Sequence, residues 1–113
     1  MRWTLLIALT LAACSKGPEA DLPTIGEARS LGAEWALVNE QAAAGKVTQT
    51  YARTMRARLR EQLQTDLGSL IEPKSEYGNE IRAIIALSDE ASPAVLRAHA
   101  SALKRIEDHL ESA

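Results

Sequence analysis

Phenylalanine is absent from this 113-residue chain, aromatic residues make up 4%, and there is a single cysteine. One cysteine excludes an internal disulfide framework and any multi-cysteine zinc or iron–sulfur site. The scarcity of aromatics, beside an abundance of Ala and Leu, turns the fold away from a β-sandwich or barrel and towards helix. Neither sign of charge dominates: 13 Lys+Arg stand against 15 Asp+Glu, a net charge of −2. That is too balanced for a nucleic-acid binder drawing on bulk electrostatics, so no nucleic acid is expected as a partner. The glycines are dispersed, at Gly26, Gly32, Gly45, Gly68 and Gly78 among others, and form no phosphate-cradling loop. Neither an HxxxH nor an HExxH spacing occurs, and nothing sets a nucleophile beside a base on a recognisable elbow. No catalytic residue, metal site or cofactor is therefore expected, and the length allows one domain.

The apolar run Leu5–Ala13 is nine residues long, less than half of the roughly 20 needed for a transmembrane helix. It follows Met1-Arg2-Trp3, with one positive charge, and ends in small residues. A charged start, a short apolar stretch and a small-residue exit together read as a secretory signal. Its end, Leu11-Ala12-Ala13-Cys14, resembles the lipobox of bacterial lipoproteins, in which an aliphatic and two small residues precede the cysteine that becomes lipidated. The thiol accepts the diacylglyceryl group, and the small side chains admit the peptidase that cuts before it.

This resemblance covers only the first 14 of 113 residues. It implies residues 1–13 as a lipoprotein signal peptide, Cys14 as the lipidated mature N-terminus, and residues 14–23 as a tether. It also implies a membrane as partner, through acyl chains that exceed the two signals needed for stable anchoring. In Gram-negative lipoproteins an Asp after the cysteine favours inner-membrane retention. Ser15 stands there in this chain, which implies the outer membrane, facing the periplasm. The competing reading is a short N-terminal helix with an inert, buried Cys14. Against it, Ser15-Lys16-Gly17-Pro18-Glu19-Ala20-Asp21 is polar, with Gly and Pro, and continues no helix. Thirteen residues are few for such a signal, which points to a start upstream of Met1.

Residues 24–113 read as a helical domain. Thr24-x-x-Glu27 has the form of a capping box, and Ala28, Leu31, Trp35, Val38 and Ala42 follow at alternating spacings of 3 and 4, a seam of a/d type. Gly45 is placed to end that helix. A second helix from about Thr48 carries Val47, Tyr51, Met55, Leu59, Leu63 and Leu67, every fourth residue. Such a stripe precesses about 40° per step, so this helix is expected to sit centrally, touching one neighbour early and another late. Tyr77, Ile81, Ile84 and Ile85 mark a third helix from Ser75 to Leu87. Ser92-Pro93 opens a fourth, with a seam of Leu96, His99, Leu103, Ile106 and Leu110. Short connections favour antiparallel neighbours. The expected fold is all-α, a small antiparallel up-and-down bundle of four helices.

Several residues are candidates for more than packing. His99 lies within an apolar seam, as a metal ligand or base, or, the reading preferred, as a part-buried histidine satisfied by a carboxylate or backbone group. His109 is about 80° around and some 15 Å along the same helix, too far to share a metal with it. Arg53, Arg56 and Arg60 form a stripe that the spacing sets opposite the apolar side of the second helix. They are either a face for an anionic partner, such as a lipid headgroup, lipopolysaccharide phosphate or acidic protein, or a solvated face balanced by the acidic first helix; the balance favours the latter. Leu37 falls opposite the Trp35/Val38 seam, as a second contact surface or an ordinary exposed leucine. The functional expectation is a lipid-anchored envelope lipoprotein with a non-catalytic interaction module. The alternatives are a homo-oligomer pairing through the seams and a carrier of a small apolar ligand.

Overall fold

A computed structural model of the chain describes residues 17–113; residues 1–13, expected to be a signal peptide, and Cys14 lie outside the described residues. A 3₁₀ turn, Pro18–Asp21, leads into four α-helices: α1 (Leu22–Ala43), α2 (Gln49–Ser69), α3 (Glu76–Ile85) and α4 (Pro93–Ser112). Paired side chains fix their directions. Arg29, early in α1, bonds Glu107, late in α4, and Glu40, late in α1, bonds Arg97, early in α4. Asn39 meets Arg56 near the other end of the α1–α2 pair. Neighbours are antiparallel, and the helices close into the up-and-down bundle the sequence leads one to expect.

The central position, however, belongs to α1 and not to α2. α1 packs on both α2 and α4, while α3 spans α2 and α4 from the other side. The cause lies in two small residues. Gly32 and Ala36 are buried beside Ile25, Ala28, Leu31, Trp35 and Val38, which widens a narrow seam into a face broad enough for two partners. On α2 the precession is resolved by giving up an end of the stripe. Tyr51 is 49% exposed, Ala52 is buried in its stead, and burial continues through Leu59 and Leu63.

Most helix ends follow local chemistry. The hydroxyls of Thr48, Ser75 and Ser92 accept from the backbone N–H of Tyr51, Gly78 and Val95 at 3.1, 3.1 and 3.2 Å, N-caps of about 1 kcal/mol each. Gly45, at φ 71°, lets Lys46 N–H reach the Gln41 carbonyl and its own N–H reach that of Ala42, a Schellman closure. The Thr24 capping box does not form. α1 begins two residues earlier, at Leu22, with Pro23 in its first turn. Residues 18–23 are thus part of the fold and not tether, because Asp21 is buried and bonded to distant groups, Ile71, Glu72 and Tyr77.

α3 stops at Ile85, short of the expected Leu87. Its 10 residues span about 15 Å where α1 spans about 33 Å. One end of the bundle therefore lacks a fourth wall. Trp35, fully buried, fills that space, and the segment 86–92 is folded down over it.

Candidate functional site

The segment covering Trp35 is held by an unusually dense polar network. Trp35 Nε1 donates to the Asp89 carbonyl at 3.0 Å. Asn39 Nδ2 donates to the Asp89 and Ala91 carbonyls at 3.0 and 2.7 Å, and its Oδ1 accepts from Arg56 Nε at 2.7 Å. Arg60 Nε and Nη2 donate to the Ile85 and Leu87 carbonyls at 3.2 and 2.7 Å, and Nη1 meets the Asp89 carboxylate. These carbonyls close α3, where a helix leaves acceptors without partners and favours a cation. The Arg60 guanidinium lies 4.7 Å from the Trp35 ring centroid, in cation–π range.

Two clefts open beside this network, of about 320 and 360 Å³. The first is floored by Ala42, Val47, Ala52 and Pro93. The second is walled by Arg53, Ser88 and Asp89. Gln49, Arg56 and Glu90 border both. The three arginines expected to form one outward stripe are thus divided: Arg53 is exposed, while Arg56 and Arg60 are half-buried and turned to the protein. The acidic side chains of α1 do not balance them either. Glu40 pairs with Arg97 of α4, and what meets Arg56 is the amide of Asn39.

The other flagged residues have simple placements. His99 Nδ1 lies 3.0 Å from Glu80 Oε2 on α3, with both side chains about one-quarter exposed; it is a satisfied, half-buried histidine. His109 is exposed beside a separate cleft lined by Pro18, Tyr77, Ile106 and Leu110. Leu37 is 48% exposed. Among the described residues no group of three or more His, Cys, Asp or Glu is placed to hold a metal, and no helix is long and apolar enough to cross a membrane.

Sequence reasoning passed over two buried carboxylates. Asp21 joins the chain entrance to the α2–α3 connection. Asp66, on the packed face of α2, has Oδ2 buried without a partner among the described residues. Burial first, then a hydrogen bond and the negative charge of Glu27 on α1, push Asp66 from 3.8 to about 7. The raised value fixes the sign of its pH dependence. Its contribution to stability is complete below about pH 4 and is lost as pH rises through about 7. The wild type is expected to lose roughly 2 kcal/mol relative to Asp66→Asn between about pH 4 and pH 8, allowing for screening on the exposed Glu27 side. Urea unfolding of both proteins across that range checks this; parallel curves would show that burial beside Glu27 does not disfavour the charged form of Asp66. Both acids had a visible signal: each interrupts or adjoins an apolar stripe, as Asn39 does four residues after Trp35.

Comparison with protein-family models, with curated proteins and with solved structures finds no match to this chain. Its own residues carry the functional argument.

Proposed function

We propose that the protein is a lipid-anchored lipoprotein of the bacterial envelope, on the outer membrane facing the periplasm, whose bundle is a non-catalytic interaction module for a protein or envelope component. The observation carrying this reading is the sequence Leu11-Ala12-Ala13-Cys14 set four residues ahead of Pro18, where the described fold begins. Four residue steps reach at most about 14 Å. An anchor at Cys14 therefore holds the end built from Pro18 and the C-terminus of α4 against the bilayer. The covered Trp35 end, about 20 Å from the start of α1 along its axis, is presented outwards with its clefts.

The module reading is favoured over a seam-paired homo-oligomer because the α1 and α4 seams pack on each other within one chain. It is favoured over an apolar carrier because the clefts at the outward end are bordered by Gln49, Arg56 and Glu90.

The intact mass of protein recovered from its native membrane tests the anchor. It is expected to lack residues 1–13 and to carry glyceride and acyl groups, and Cys14→Ser is expected to abolish both changes and to release the protein from the detergent phase. A retained Met1, or a free Cys14 thiol in membrane-derived material, removes the reading.

A further inference from the structure

We infer that the two clefts at the Trp35 end form a binding site for a small zwitterion, an α-amino acid or dipeptide whose carboxylate meets Arg56 and whose ammonium group meets Glu90. The inference concerns the ligand of the module and is independent of whether Cys14 is acylated.

Arg56 and Glu90 border the same two clefts, yet they make no ion pair with each other, although Asp89, next to Glu90, pairs with Arg60, and Glu40 pairs with Arg97. An unpaired cation and an unpaired anion on shared walls match a ligand carrying both opposite charges. The Arg56 side chain and the backbone on either side of Glu90 are set in place beforehand. Arg56 is fixed through Nε by Asn39, and its terminal nitrogens make no hydrogen bond among the described residues, leaving the fork a carboxylate takes in bidentate fashion. Glu90 stands between two residues whose carbonyls Asn39 holds, Asp89 and Ala91. Preorganisation of this kind lowers the ordering cost of binding.

Local charge balance separates this ligand from simpler ones. Arg60 neutralises Asp89, so Arg53, Arg56 and Glu90 remain. Glu90 opposes a plain anion such as phosphate, and the two arginines oppose a plain amine. The floor of Ala42, Val47, Ala52 and Pro93 accepts a short aliphatic side chain.

The test is a ¹H–¹⁵N NMR titration of the full chain in detergent micelles with L-alanyl-L-alanine. N-acetyl-L-alanine, which has no ammonium, L-alanine amide, which has no carboxylate, and inorganic phosphate are run beside it. The dipeptide is expected to give saturable shifts confined to Gln49–Arg56 and Ser88–Ala91, and each of the other three probes to bind at least about tenfold more weakly. Glu90→Gln and Arg56→Gln are each expected to lose about tenfold in affinity. Because Arg56 also steadies Asn39, the exposed Arg53→Gln is included, with a smaller loss and an unchanged spectrum elsewhere. Absence of saturable shifts up to the solubility limit overturns the proposal. So does binding of phosphate or N-acetyl-L-alanine as tight as that of the dipeptide, which would mark an anion site, or undiminished binding by Glu90→Gln. None of these outcomes bears on the mass of the Cys14 species, so failure of the ligand and failure of the anchor are read separately.

Discussion

Asp21→Ala is expected to destabilise the protein by about 3–5 kcal/mol, the range for stripping a buried charged acceptor from its donors. The carboxylate is 1% exposed and accepts from the N–H groups of Ile71 and Glu72 at 2.8 and 3.1 Å and from the Tyr77 hydroxyl at 2.6 Å. Truncation leaves two backbone donors and a phenol without partners in the interior. Asp21→Asn keeps the shape but turns an amide N–H₂ towards one of those donors, so a smaller loss is expected. Urea midpoints order the three proteins. A second readout follows from Tyr77, whose phenol is pushed up to about 12 by burial first and then by its bond to Asp21. Removing the carboxylate lowers that value towards 10 while leaving exposed Tyr51 as an internal control in a spectrophotometric titration. An unchanged midpoint with an unchanged Tyr77 titration would show that Asp21 does not tie the chain entrance to the α2–α3 connection. That tie matters for the anchored reading, since any force along the tether reaches the bundle at Pro18, three residues before Asp21.

What was legible in the sequence was what local chemistry decides. Thr48, Ser75 and Ser92 cap their helices through N–H groups three residues on, and Gly45 closes α1 through neighbours within one turn. These need no knowledge of the rest of the fold. Thr24 has the same signature and fails, because the start of α1 is set by Asp21 reaching residues 50 and more positions away. The placement of α2 at the centre followed from the precession of its every-fourth-residue stripe of large apolar residues. Gly32 and Ala36 do not stand out in such a stripe, yet they are buried where two helices approach α1. The arginine stripe was read from spacing alone, which places the side chains on a helix but not their acceptors. For Arg56 the acceptor is the Asn39 amide, and for Arg60 they include the carbonyls of Ile85 and Leu87, which lie where α3 ends early. The stretch Leu11–Cys14 that resembles a lipobox lies outside the described residues, so the test of that expectation is chemical.

Gly78→Ala is expected to cost about 2–4 kcal/mol even though alanine is the better helix former by about 1 kcal/mol. A Cβ at this position would stand 2.2 Å from the Pro73 carbonyl oxygen and 2.9 Å from its carbon. Both are backbone atoms, and neither yields as a flexible side chain does. Moving the Pro73–Ser75 turn aside displaces Ser75, whose hydroxyl caps α3 through the Gly78 N–H at 3.1 Å. It also shifts Tyr77, and with it the 2.6 Å bond to Asp21. The strain therefore spreads into the buried network at the same end of the bundle. Gly68 supplies the contrasting case: it is helical, in α2, and nothing lies within 4 Å of its notional Cβ. Gly68→Ala is expected to stabilise by about 0.5–1 kcal/mol from propensity alone. Thermal or urea unfolding of the two single variants checks the pair, and the opposite signs are the result to look for. If Gly78→Ala matched the gain of Gly68→Ala, the close approach of the α2–α3 turn to α3 would have to be abandoned, along with the rigid seat it provides for Tyr77 and Asp21.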